Sequence, residues 1–189
     1  MDLEARPPSL AAKERHILLD LARRTIDARL GDGMLPERPS DSHALSEIRG
    51  AFVTLKIDEH LRGCIGHVIG VVPLWRAVRE NAVAAAFEDP RFPSLTTEEL
   101  VRVRIEISAL TPLVASHADG VMVGRDGILV ERGAARGLLL PQVAVEYGWD
   151  RETFLDHTCR KAGLEPGCWR HPDTAISTFS AEVFGEDTS

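Results

Sequence analysis

Two β-prone segments separated by three polar residues constrain the fold of this chain more than any other feature. Residues 50–57 (GAFVTLKI) and 61–68 (LRGCIGHV) are rich in apolar and β-branched side chains, and residues 58–60 (DEH) interrupt them. A gap this short favours an antiparallel hairpin, because a parallel crossover needs a dozen or more residues. The sequence therefore predicts a mainly antiparallel sheet.

Other segments predict further strands of the same kind. Residues 101–110 alternate between apolar and charged side chains, which is typical of a strand with one buried face. The GRDG sequence at residues 124–127 predicts a hairpin turn between strands at residues 121–123 and 128–131. Residues 175–184 predict a single closing strand.

Helical patterns lie between these strands. Residues 9–30 predict a long helix with Ser9 as N-cap and Gly31 as its end. Its apolar stripe comprises Leu10, Ile17, Leu18, Leu21, Ile26 and Leu30. Residues 73–88 and 151–162 predict two more helices. Hairpin-linked strands with helices gathered between them predict an α+β fold, with a mainly antiparallel sheet flanked by helices.

The composition limits how many domains the chain can form and which classes of partner it can bind. The chain has 189 residues, of which 44% are apolar, and this predicts one folded domain at residues 9–185. Residues 1–8 predict a disordered start and residues 186–189 a short tail. The net charge of −7 disfavours nucleic acid as a partner. No apolar stretch is long enough to span a membrane.

Three widely spaced cysteines, Cys64, Cys159 and Cys168, predict reduced thiols in a cytoplasmic protein. Each can also be read as a small buried hydrophobe. Cys159, Cys168 and His171 are ligand types that suit zinc, but Cys159 lies on an apolar helix stripe and no CxxC or HxxxH pair is present. We therefore predict no metal, and the missing Walker and GxGxxG motifs give no reason to expect a cofactor.

The hexapeptide LRGCIG at residues 61–66 carries the most specific resemblance in the chain. Four further segments follow the same family pattern in order: GAFVTL (50–55), DPRF (89–92), GLLLPQVAVEYGW (137–149) and TCRKAGL (158–164). Over nearly its whole length the chain resembles the AMMECR family, also called AmmeMemoRadiSam system protein A.

That resemblance implies a compact α+β protein with a larger and a smaller lobe, and with the hexapeptide near a cleft between them. It also implies a Memo-like or a radical-SAM protein as a possible partner. It brings no assigned reaction, so whether the chain is an enzyme stays open at this point.

The hexapeptide strand is the best candidate for a catalytic site. In a regular strand, His60, Arg62 and Cys64 would share one face and His67 would lie on the other. A cation beside a cysteine favours the thiolate, so Arg62 would activate Cys64, with a histidine as base. In the alternative interpretation Cys64 is only a packing residue and Arg62 is a structural clamp on Glu106 or Asp89.

Other residues add to the candidate site. Gly63 and Gly66 flank the thiol, and glycines in a strand mark a bulge or a close backbone approach. Glu106 can act as acid or base if its strand face lines the cleft, and otherwise it is a solvated charge. Gln142 follows Pro141 at a helix start, where it can contact a ligand or cap the helix.

Two classes of function follow from these patterns. The first is an enzyme or small-molecule binder that uses the Cys64 face. The second is a non-catalytic partner protein whose hexapeptide forms a docking surface for the Memo-like or radical-SAM protein. A concave site around Cys64 with a base in reach indicates the first, and a flat apolar patch indicates the second.

Overall fold

The structure, a computed structural model, describes residues 10–39 and 41–186. In this part of the chain the helices are α1 (Ala12–Leu30), α2 (His43–Ser46), α3 (Leu74–Phe87), α4 (Thr97–Leu100), α5 (Pro141–Glu146) and α6 (Arg151–Lys161). The strands are β1 (Ala51–Ile57), β2 (His60–His67), β3 (Arg104–Leu110), β4 (Val114–Ser116), β5 (Gly127–Arg132), β6 (Ala135–Leu139), β7 (Ala175–Phe179) and β8 (Ala181–Gly185). The expected disordered start, the N-cap Ser9 and the tail residues 187–189 lie outside the described residues.

Two four-stranded sheets form the framework, with strand orders β2-β1-β3-β8 and β4-β7-β5-β6. The hairpin of β1 and β2 is antiparallel as predicted, and β1 also pairs antiparallel with β3. In the second sheet β7 pairs antiparallel with both β4 and β5, and β5 with β6. The α+β prediction with mainly antiparallel pairing is confirmed.

The described residues divide into two compact units. The first takes those up to Pro112 and those from Glu182 onward. In it α3 packs against β1 and β2, and α1 packs against α3 and β3. Alternate residues of β1 and β3 supply one side of its core, and the helices supply the other: Val53, Leu55, Ile105, Ile107, Leu18, Ile26, Val78 and Ala82. The polar residues that alternate with these core residues in β1 and β3 lie on the opposite face of this sheet.

The second unit, Leu113–Ala181, has its own core. There α6 packs against β5 and β6, and α5 packs against β5. The core residues are Val121, Ile128, Val130, Ala144, Phe154, Leu155, Cys159, Cys168 and Ile176. Asp150 caps α6 by accepting a hydrogen bond from the Thr153 amide at 2.8 Å, as its position in the sequence predicts.

Two strand predictions are wrong. Residues 175–184 form two strands, because β7 pairs in the second sheet and β8 in the first. Residues 121–123 are not a strand, since Asp126 accepts a hydrogen bond from the Met122 amide and also pairs with the Arg125 side chain. Local side-chain bonds of this kind compete with strand pairing. The hairpin partner of β5 is β6 instead.

Candidate functional site around the hexapeptide

The strand that carries the hexapeptide is irregular. Leu55 of β1 pairs with Gly63 of β2, whereas Lys56 pairs with Leu61, so that Arg62 has no partner in β1. Such a β-bulge breaks the two-residue alternation of side chains. We predicted from a regular strand that His60, Arg62 and Cys64 share one face. Because of the bulge, Arg62 does not lie on the face of Cys64.

Arg62 forms a buried clamp on α4. Its Nε donates to Glu99 Oε1 at 2.8 Å and its Nη2 donates to Glu99 Oε2 at 2.9 Å, with the guanidinium 5.8 Å from the Phe92 ring centre. The hydrogen bonds from Arg62 hold the pKa of Glu99 below its ordinary value. The clamp interpretation of Arg62 is thus supported, but its partner is Glu99, not Glu106 or Asp89.

Cys64 is a free, half-buried cysteine. It pairs with Thr54, and because Val53 and Leu55 face the core, Cys64 lies on the opposite face of the sheet. The Thr54 hydroxyl donates a hydrogen bond to Cys64 Sγ at 3.3 Å.

The turn after α3 holds the backbone of Cys64 from both sides. The Cys64 amide donates to Asp89 Oδ2 at 2.9 Å, and its carbonyl accepts from Arg91 Nη2 at 3.2 Å. The guanidinium that contacts Cys64 therefore belongs to Arg91, and the expectation that Arg62 fills this role is wrong. The physical reason is the bulge, which places Arg62 beside Glu99 instead.

Asp89 and Arg91 also form an ion pair with each other. Arg91 donates from Nη2 and Nε to the Asp89 carboxylate at 2.7 and 2.9 Å. Asp89 is buried, and the Arg91 hydrogen bond, followed by that of the Cys64 amide, holds its pKa well below the usual range. The sequence identified the DPRF segment only as part of the family pattern. Its contact with Cys64 was missed, because no local pattern links residues 25 positions apart.

Glu106 shares the sheet face of Cys64, because both are cross-strand partners of Thr54. With Thr54 between them, Cys64 and Glu106 are two strand spacings apart, roughly 10 Å. Glu106 accepts a hydrogen bond from Lys56 Nζ at 2.9 Å. It is therefore a paired surface charge on the same face as Cys64, beyond hydrogen-bond reach of the thiol.

The structure does not bring the two candidate histidines to Cys64. His67 pairs with Ala51, a core-facing residue, and so lies on the other face of β2. His60 is exposed at the hairpin end, with its Nδ1 2.7 Å from the Asp58 carbonyl. Gln142 lies on α5 in the second unit.

The two glycines of the hexapeptide have packing roles. A Cβ on Gly63 would lie 2.1 Å from the Ala85 carbonyl oxygen, so glycine lets α3 approach β2 closely. A Cβ on Gly66 would lie 2.4 Å from a carbon of the Phe52 ring. The glycines thus serve a helix contact and an aromatic contact, and Gly63 makes the close backbone approach that a glycine in a strand indicates.

Cys159 and Cys168 form a disulfide bond in the second unit. The prediction that these two cysteines are reduced thiols is wrong, because the turn after α6 brings Cys168 back to the end of that helix. Among the described residues no group of three or more His, Cys, Asp or Glu side chains is placed to hold a metal ion. In the same residues we find no helix with the length and hydropathy that a membrane span needs.

These features define a class of α+β protein with two antiparallel sheets and a hexapeptide thiol held by the turn after α3. A sequence model of the AMMECR1 family matches residues 19–184, and the chain belongs to this family.

Relatives and a solved structure agree with this assignment. A protein of Methanothermobacter thermautotrophicus is 46% identical over 186 residues, covering 94% of this chain and 97% of the relative. Protein PF1979 of Pyrococcus furiosus is 46% identical over 184 residues, covering 90% and 87%. The crystal structure of the uncharacterized protein PH0010 from Pyrococcus horikoshii is similar with a TM-score of 0.76 and 44% identity, covering 90% of both chains.

Proposed function

We propose that Cys64 is the reactive residue of a site that binds a small electrophilic molecule through its thiol. The observation that carries this proposal is the set of contacts around one free cysteine. Thr54 donates to its sulfur, and Asp89 and Arg91 hold its amide and carbonyl groups. Cysteine sulfur is intrinsically very nucleophilic, and these contacts hold it in a fixed position beside a hydroxyl group.

The surroundings favour a thiol that acts without a paired base. None of the described hydrogen bonds joins Cys64 Sγ to a histidine or a carboxylate. His67 lies on the other sheet face, and Glu106 pairs with Lys56. A cysteine–histidine pair of the hydrolase type needs the two side chains within hydrogen-bond reach. Capture of an electrophile by the thiolate alone fits the geometry better.

The substitution Thr54→Val tests this proposal, because it removes the hydroxyl donor while keeping the side-chain shape. We expect the alkylation of Cys64 by iodoacetamide at pH 7 to slow by about tenfold, since a hydrogen bond to a charged group is worth roughly 1.5 kcal/mol or more and ~1.4 kcal/mol is a factor of ten. Mass spectrometry of the Cys64 peptide follows the rate. Thr178→Val on β7 is the matched control and leaves the rate unchanged.

Two outcomes would remove the basis of the proposal. One is a folded protein in which Cys64 resists alkylation, and the other is an unchanged alkylation rate in the Thr54 variant. Either outcome would favour the alternative function, which is docking to a Memo-like or radical-SAM protein. One observation favours it: Leu61 of the hexapeptide is 42% exposed, and an exposed apolar side chain in a motif suits a protein contact.

A further inference from the structure

A cavity of about 150 Å³ lies in the first unit, at the ends of β1 and β2 next to α3. Its wall includes Ala51 of β1 and His67 of β2, which are cross-strand partners. Ala51 faces the core, whereas Cys64 lies on the opposite face of the same sheet, so the cavity is distinct from the site proposed above. A cavity of this size holds a molecule of about six non-hydrogen atoms.

Asn81 of α3 brings a buried amide group to the cavity wall. The residue is 3% exposed, and its Nδ2 donates to the Ala51 carbonyl at 3.0 Å. Its Oδ1 oxygen accepts no hydrogen bond from residues 10–39 and 41–186. This oxygen keeps some accessible surface, which in so deeply buried a residue lies in the cavity. A buried acceptor without a donor costs free energy, so a ligand that donates to Asn81 Oδ1 is favoured.

His67 supplies a second polar group at the mouth of the cavity. Its side chain is exposed, and neither ring nitrogen forms a hydrogen bond within the described part of the chain. An imidazole ring keeps at least one N–H donor whether it is neutral or protonated. His67 lies opposite Ala51 in the hairpin, and Asn81 bonds the Ala51 carbonyl, so both side chains flank the same residue. Since cross-strand partners have Cβ atoms roughly 5 Å apart, one small group can contact both side chains.

The charged residues at the cavity already have partners. Arg49 donates from Nε to the Leu110 carbonyl at 2.8 Å, its Nη2 lies 3.4 Å from Glu182, and its Nη1 is enclosed by protein atoms. Its guanidinium is therefore not a donor for a ligand. Glu80 pairs with Arg76 at 2.7 Å. An ionic ligand would bring a charge without a counter-charge, which costs free energy in a cavity, so the group that fits is neutral.

A hydroxyl group has the hydrogen-bonding capacity that Asn81 and His67 require, because its O–H donates to Asn81 Oδ1 while its oxygen accepts from the His67 ring. The rest of the wall includes four aliphatic side chains: Ile69, Val71, Val72 and Ala77. Exposed aliphatic side chains beside a cavity mark a binding surface for an apolar group, and the first two are exposed. We infer that this cavity binds a small neutral alcohol with a branched aliphatic group.

The probe for this inference is 3-methylbutan-1-ol, whose size matches the cavity. In a titration of the full chain followed by ¹⁵N NMR, we expect saturable shifts at Ile69, Ala77 and the Asn81 side-chain amide, with a millimolar Kd. Isobutyl methyl ether is an isomer without the O–H donor, and it should bind about tenfold more weakly because the Asn81 oxygen stays unpaired. Cys64→Ser should bind the alcohol normally, which separates this cavity from the thiol site.

Variants of the cavity wall test the same inference. Ala77→Leu fills the cavity from a helix that tolerates leucine, and it should abolish saturable binding. Ala84→Leu, at a half-buried position of the same helix outside the cavity wall, is the matched control and should bind normally. Val72→Leu replaces Ala77→Leu if that variant fails to fold. His67→Phe keeps a ring at the mouth but removes its N–H, and it should bind the alcohol severalfold more weakly.

Three results would overturn the inference. They are shifts that do not saturate, equal binding of the alcohol and the ether, and normal alcohol binding by the cavity-filling or His67 variants.

Discussion

Asp89 shows how one side chain joins distant parts of the candidate site. Its carboxylate accepts hydrogen bonds from the Cys64 amide on β2 and from Arg91 in its own turn. Because Asp89 is buried, removal of its side chain would leave the Cys64 amide without its acceptor, and a neutral side chain would lose the stronger hydrogen bonds that a carboxylate accepts. The position of the hexapeptide thiol thus depends on an acidic residue that follows α3.

The substitution Asp89→Asn tests this role through pH. The Arg91 and Cys64 hydrogen bonds depress the pKa of Asp89 in the folded protein. The stabilisation is therefore complete above the unfolded-state pKa of about 3.9 and is lost as pH falls toward the folded-state pKa. We expect the variant to be less stable than the native chain at pH 7, and the difference to shrink below about pH 4.

Urea unfolding at pH 7, 5 and 3 measures the free energy of unfolding of Asp89→Asn and of the native chain. Asp20→Asn on α1 is the control, because its ion pair with Arg24 is exposed and such pairs contribute little. A stability difference for the Asp89 variant that is the same at all three pH values would contradict the electrostatic explanation.

At the scale of elements, α1 illustrates a prediction that depends only on periodicity. Leu21 and Ile26 are buried, and Ile17 packs against the core as a partly buried residue. The helix begins at Ala12 and ends at the expected Gly31. The apolar stripe therefore identifies the buried face correctly, while the beginning of the helix differs by three residues from the prediction.

Replacing Leu21 by Ala on this face should lower the free energy of unfolding by about 2–5 kcal/mol, because the change leaves a cavity in a closed core. His16→Ala on the exposed side of the same helix should change it by less than about 0.5 kcal/mol. Urea denaturation measures both. A small effect of the Leu21 substitution would show that α1 does not close the core.

At the scale of the whole molecule, the two compact units differ in what stabilises them. The first has a larger core between two helices and a sheet, whereas the second has a smaller core that contains the disulfide of Cys159 and Cys168. A cross-link removes conformational freedom from the unfolded chain. It therefore contributes to the stability of a unit that has little apolar surface to bury.

Cys168→Ser should therefore destabilise the second unit by about 2–4 kcal/mol under oxidising conditions. Thermal unfolding with and without dithiothreitol measures the effect. Reducing agent should lower the Tm of the native chain and of Cys64→Ser, but leave that of Cys168→Ser unchanged. A native chain whose Tm does not respond to dithiothreitol would contradict a stabilising disulfide.

The implied cleft between the lobes, the partner proteins and any catalytic activity stay predictions.

The sequence by itself determined the α+β class, the β1–β2 hairpin, the buried face of α1 and the Asp150 cap, because periodicity, short gaps and capping act between residues close in the chain. It also singled out Cys64 through the hexapeptide. Only the tertiary structure decided that Arg62 contacts Glu99, that Arg91 contacts Cys64, that residues 175–184 divide between two sheets, and that Cys159 bonds to Cys168. These outcomes depend on a bulge, on sheet pairing and on contacts between separate elements, none of which leaves a periodic pattern in the chain.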